Sequence, residues 1–137
     1  MNVSVFSKFI FIVLIVLLSG CKQYTTQKRV QNIEAAITSY DVAMRWAQYP
    51  EAYRYHVSPN GTQPPADLEA LKELSVTGVK VIEKILNENY TEANVKTEIS
   101  YFFKDQGTIR KLKLQQRWWV NEETSQWFID GEFPEFK

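Results

Sequence analysis

The chain has 137 residues, 16 basic and 16 acidic side chains, one histidine, one cysteine and 14% aromatic residues. Its zero formal net charge lacks the basic excess that nucleic acid or an anionic lipid surface selects for, so no nucleic-acid partner is expected. With one cysteine and one histidine, an internal disulfide and a Cys/His zinc cluster are excluded, and no phosphate-cradling glycine loop is present, so no metal and no cofactor is expected.

The first segment, "MNVSVFSKFIFIVLIVLLSG", holds one cation, Lys8, then the apolar run Phe9 to Leu18, then the small residues Ser19 and Gly20. That order is the order of an export signal, and the run is shorter than the roughly 20 apolar residues of a spanning helix. Leu18-Ser19-Gly20-Cys21 resembles in full the lipobox of bacterial lipoproteins. The resemblance implies that residues 1–20 are removed and that the Cys21 thiol takes a diacylglycerol before the new amino group is acylated. Several acyl chains, at about 0.8 kcal/mol per buried methylene, would make the membrane a stable partner. The competing reading is an uncleaved anchor, or an ordinary signal with a chance cysteine. Lys22 stands where a retaining aspartate would hold an enterobacterial lipoprotein in the inner membrane. The expected location is therefore the cell envelope, on the outer membrane and facing the periplasm. "KQYTTQKR" then reads as a flexible tether over 21–29, with a reach of ~15 Å.

Residues 30–137 fit one domain. Val30, Ile33, Ile37, Tyr40, Met44 and Ala47 recur at steps of three and four, which predicts a helix over 30–49 with one apolar stripe. Pro50 opens a second short helix, "PEAYRYHV". "SPNGTQPP" is a loop by composition, and "ADLEALKEL" reads as a third short helix with Leu68, Leu71 and Leu74 on one side. From Val76 the period becomes two. "SVTGVKVIEKIL" is expected as a first strand on its β-branched residues, with continued helix as the alternative. In "NVKTEISYFFK", Val95, Thr97, Ile99, Tyr101 and Phe103 share a face. In "TIRKLKLQQRWWV", Leu112, Leu114, Trp118 and Val120 do. A turn centred on Gln106-Gly107 would set Tyr101 against Leu112, Ile99 against Leu114 and Val95 against Trp118. "QWFIDG" is the last strand. Helices followed by a four-stranded antiparallel meander make an α+β plan with the helices on the apolar face.

Arg45-Trp46, Tyr53 and Tyr55, Arg117-Trp118, Trp127 and Phe133-Pro134 are the residues of a further likeness. Their pattern resembles a group of uncharacterised small proteobacterial lipoproteins, and the architecture is similar to the NTF2-like, or cystatin-like, cone. The resemblance implies a fold, in which helices cover a curved sheet, and no reaction. NTF2-like enzymes use a carboxylate and tyrosines inside the cone, which directs attention to Asp41, Glu83, Tyr40 and Tyr101.

Glu83 is in phase with Val79 and Val81 if the first strand is regular, and a buried carboxyl there would act as a base. A bulge at Ile82 would turn it outward, and Asp41 is placed to pair with Arg45 one turn on. His56, alone at a helix end, reads as a capping or surface residue. No catalytic residue is assigned. On the polar sheet face, Phe102 and Trp119 form a candidate interface with Ile109 near its edge, flanked by Lys96, Lys111 and Arg117. Trp127 joins them if "NEETS" is a five-residue loop, and enters the core if the loop is one residue shorter. Either this face meets an envelope protein or a second copy, or loops and "GEFPEFK" cover it. Trp46 and Trp118 either fill the cone or border a small apolar ligand. The expected function is non-catalytic binding or assembly by an envelope lipoprotein. A small apolar ligand carrier and an isomerase-type enzyme are the alternatives.

Overall fold

The computed structural model describes the backbone of residues 3–137 and the side chains of Lys8 and residues 23–137. The lipid-attachment expectation at Cys21 and the signal-peptide expectation rest on side chains outside the described residues. Helix α1 runs Val3–Arg45, so residues 23–29 are helical and the expected flexible tether is corrected. No proline or glycine interrupts the chain from Cys21 to Tyr49, and Arg29 fastens the helix to the domain. Its guanidinium donates to the Asn89 carbonyl at 3.1 Å and to Glu122 at 3.0 Å.

The stripe Ile33, Ile37, Tyr40 and Met44 is buried as its spacing requires. The helix stops at Arg45, ahead of the expected boundary at Tyr49. Ala47 is left-handed (φ 56°), and its N–H reaches the Met44 carbonyl while the Gln48 N–H reaches that of Ala43 at 2.8 Å. That pair of bonds is a Schellman stop, and its left-handed position favours glycine. Ala47→Gly is expected to raise the unfolding free energy by about 0.5–1 kcal/mol, read as a higher denaturant midpoint with an unchanged slope.

Helix α2, Tyr49–Tyr53, carries Pro50 in its first turn. The third helix shrinks to a 3-10 turn, Ala70–Glu73, whose Ala70 N–H donates to Asp67 Oδ1 at 3.2 Å. Leu74 is drawn instead into β1, Leu74–Leu86, opposite Phe103, and a run this short cannot offset the cost of helix nucleation. Strands β2, Glu92–Phe103, β3, Arg110–Asn121, and β4, Gln126–Ile129, complete a four-stranded antiparallel meander in the order β1-β2-β3-β4. The fold is α+β, with α1 laid across one face of an open sheet.

Register follows the turns. Between β2 and β3, Gly107 (φ 66°) returns its N–H to the Phe103 carbonyl, and Thr108 and Ile109 lengthen the loop. Tyr101 therefore faces Arg110, Ile99 faces Leu112, Val95 faces Gln116 and Ala93 faces Trp118. This is two residues from the expected pairing. An even slip keeps each side chain on its own face, so the apolar face is as read. Between β3 and β4, Asn121 pairs with Gln126, and its Oδ1 accepts the N–H groups of Glu123 and Thr124. The shorter of the two loop alternatives is thus realised, and Trp127 enters the core.

Strand β1 carries bulges between Val76 and Gly78 and between Val81 and Glu83. The second moves Glu83 outward, opposite Lys96, and brings Lys84 inward, opposite Val95, where it pairs with Glu34 of α1. β1 is a free edge. The β4 edge is closed by the segment after α2, where His56 bridges Ile129 in parallel and the Ile129 N–H reaches the Tyr55 carbonyl.

Candidate functional site

On the inner sheet face, three polar side chains converge within the aromatic core. β3 contributes Gln116, in the same phase as Trp118 and Val120. α1 contributes Tyr40, and the turn after α2 contributes His56, 0% exposed. His56 Nδ1 lies 3.0 Å from the Gly131 carbonyl oxygen, which can only accept, so Nδ1 carries the proton. Nε2 then accepts from the Tyr40 hydroxyl at 3.1 Å, and that hydroxyl accepts from Gln116 Nε2 at 3.4 Å. Each partner occupies the only role left to it, which fixes the tautomer. The His56 ring also packs against Phe133 at 5.1 Å and Tyr40 at 5.7 Å.

Burial governs the chemistry. Desolvation holds the His56 imidazole below its ordinary value and pushes the Tyr40 phenol well above its own, so at neutral pH both are uncharged. The expectation of a capping or surface histidine is corrected: His56 is a core residue that joins α1, β3 and the C-terminal segment. Gln116 had a legible signal, a polar residue in the apolar phase of β3. The sequence gives little warning for His56, because its burial comes from the edge bridge to Ile129.

Asp41 is half-buried beside this cluster. Burial pushes its carboxyl up to about 6, against the opposing pull of Arg45. A raised carboxyl favours the folded state at low pH, and that contribution is lost as pH rises through 6. Asp41→Asn is therefore expected to stabilise the fold by about 1–2 kcal/mol at pH 8. The gain should vanish by about pH 4, as read from denaturant midpoints across that range.

The remaining expected site residues are dispersed. Glu83 faces away from the helix and pairs with Lys96 at 2.6 Å. Tyr101 is buried, its hydroxyl donating to a main-chain oxygen of Lys137 at 2.7 Å. Phe102 pairs with Ser75, whereas Trp119 pairs with Glu92 at the other end of β2. They are roughly 30 Å apart at about 3.3 Å per residue, so they cannot form one apolar centre. Trp119 is half-buried, packing on Phe128 at 5.4 Å and donating its indole N–H to the Val57 carbonyl at 2.7 Å. The face between them is polar: Lys111 pairs with Glu98, and Arg117 with Glu92 and Asp130. The C-terminal segment leaves this face open and packs against the core, with Phe133 on Tyr53 and Phe136 on Tyr101.

Trp118 fills the interior, whereas Trp46 is 72% exposed. A half-open cleft of about 580 Å³ lies between α1, α2 and β4, bordered by Asn32, Ala36, Ser39, Arg54, Tyr55 and Phe128. Among the described residues there is no group of acidic, histidine and cysteine side chains able to hold a metal, and no helix long and apolar enough to cross a membrane. Comparison with protein-family models, with curated proteins and with solved structures finds no match for this chain in any of the three.

Proposed function

We propose that this chain is a lipid-anchored bacterial envelope protein whose domain binds or assembles with a partner and performs no catalysis. The observation that carries the reading is the sequence Leu18-Ser19-Gly20-Cys21 placed directly after an apolar run. Kinship with small proteobacterial lipoproteins and with the NTF2-like cone belongs to the same proposal, supported by the aromatic pattern and by a helix laid on an antiparallel meander. The membrane is the first partner, through acyl chains on Cys21, and Lys22 favours the outer membrane. Because α1 is continuous and Arg29 clasps it to two loops, the domain stands on a stiff stalk. From Gln23 to Arg29 the stalk rises about 9 Å.

A second partner, an envelope protein or another copy, is supported by apolar side chains left exposed. Trp46 and Val42 lie one turn apart at the end of α1, and Val81, Ile82 and Ile85 lie along the free edge of β1. The non-catalytic reading is supported by the state of two of the acid–base candidates. His56 has both nitrogens engaged, and Glu83 is turned outward and paired. Of the alternatives, a small-ligand carrier is favoured by the cleft between α1, α2 and β4, whose volume lies in the usual range for such sites. An isomerase-type enzyme would depend on Asp41 beside Tyr40.

Cys21→Ser should abolish incorporation of labelled palmitate and leave the precursor uncut before residue 21, because a hydroxyl cannot form the thioether. Full labelling of the serine variant would overturn the anchor. A Trp46→Ser chain that keeps its fold should lose a co-purifying partner by about tenfold or more.

A further inference from the structure

Beyond Asp130, whose N–H reaches the Arg117 carbonyl at 2.8 Å, no backbone–backbone hydrogen bond holds the chain among the described residues. Residues 131–137 stay in place through side chains. Phe133 packs between His56 and Tyr53, Pro134 is buried, and Phe136 packs on Tyr101 at 5.0 Å. Two side chains also reach the segment's backbone: His56 Nδ1 to the Gly131 carbonyl, and the Tyr101 hydroxyl to a main-chain oxygen of Lys137. The segment covers aromatic surface yet is joined to it at few points, so it can open without unfolding the sheet.

We propose that His56 is a pH-sensitive clasp for the C-terminal segment, releasing residues 131–137 when its imidazole gains a second proton. The mechanism follows from the roles of the two ring nitrogens. In the neutral ring, Nε2 accepts the Tyr40 proton. A protonated ring donates from both nitrogens, so Nε2–H displaces the Tyr40 O–H, which must turn away from the ring and give up its present acceptor. No carboxylate is bonded to the ring to balance the new charge: α1 offers Tyr40, with Asp41 beside it under the pull of Arg45, β3 offers Gln116, and the terminal segment offers the backbone of Gly131 and Glu132. Asp130 is engaged outside with Arg117. A buried cation without a counter-charge is costly, and the open segment admits water to it. Because the proton binds more tightly to the open state, the opening constant rises by up to tenfold per pH unit as pH falls below the ordinary histidine value of about 6.5.

The test is nuclear magnetic resonance on the full chain from pH 7.5 to 4.5, with the segment read from the ring contacts of Phe133 with His56 and of Phe136 with Tyr101, and the rest of the fold from amide exchange. Residues 131–137 should lose these contacts with a one-proton slope while α1 and β2 stay protected. Asp41→Asn, and separately Glu132→Gln with Glu135→Gln, should leave the transition in place, which separates it from the neighbouring carboxylates. His56→Gln should remove it. Tyr40→Phe takes away the donor that favours neutral Nε2, and should move the midpoint upward by roughly half to one pH unit. Loss of the segment's ring contacts together with amide protection in β2 would overturn the clasp. So would a transition that survives His56→Gln, or a midpoint unmoved by Tyr40→Phe.

Discussion

Trp118→Ala is expected to lower the unfolding free energy by about 3–5 kcal/mol, enough to unfold a large fraction of domains this size. The indole is 1% exposed and meets Tyr40 edge-on at 6.0 Å and Tyr55 at 5.8 Å. Its removal empties the space between α1 and β3, and a rigid strand cannot collapse into it. Aromatic pairs of this geometry add about 0.5–1.5 kcal/mol beyond area. The Trp118 indole nitrogen is also the one buried side-chain nitrogen or oxygen without a hydrogen-bond partner among the described residues. Trp118→Phe therefore forfeits no hydrogen bond and should cost far less than the alanine change. Lys113→Ala, on the opposite face of the same strand, should shift stability by about 0.5 kcal/mol or less. Equal denaturant midpoints for Trp118→Ala and Lys113→Ala would refute the assignment of faces on β3.

Trp127→Ala should cost a comparable amount, about 3–5 kcal/mol, for a partly different reason. Trp127 is 2% exposed, and its indole N–H donates to the Arg29 carbonyl at 3.1 Å. It ties β4 to the point where α1 leaves the domain. Truncation opens a cavity and leaves that carbonyl without this partner, adding about 1 kcal/mol where water does not replace it. Trp46→Ala is the control, the same residue on an exposed helix end, with an expected change within about 0.5 kcal/mol. Thermal unfolding followed by near-ultraviolet dichroism ranks the three. If Trp46→Ala proved as damaging as Trp127→Ala, the loop register between β3 and β4 would be wrong.

That register shows how far local sequence reaches. The apolar phases of α1, β2 and β3 were legible in the chain, because periods of 3.6 and 2 mark which side chains share a face whatever they face. The β2–β3 pairing moved by two residues and no side chain changed sides, since an even slip preserves phase. The α+β plan survives such errors for the same reason. Leu18-Ser19-Gly20-Cys21, on which the proposed anchor rests, is likewise a short stretch read directly from adjacent residues.

Other features hung on a single residue of loop length or on distant pairing, and only the tertiary structure decided them. Trp127 turned inward because Asn121 extends β3 and caps a tight turn. Glu83 turned outward because Ile82 bulges from an edge strand with no neighbour on its far side. His56 became a core residue because its segment closes the β4 edge and meets Gly131, 75 positions later. Phe102 and Trp119 share a face but stand at opposite ends of it, since alternation gives the side of a strand and says nothing of distance along it. Sequence by itself determined the faces, through the periodicity of the backbone. The interior polar cluster and the fate of each candidate residue were decided in three dimensions, where register, bulges and edge closure bring remote groups within hydrogen-bonding distance.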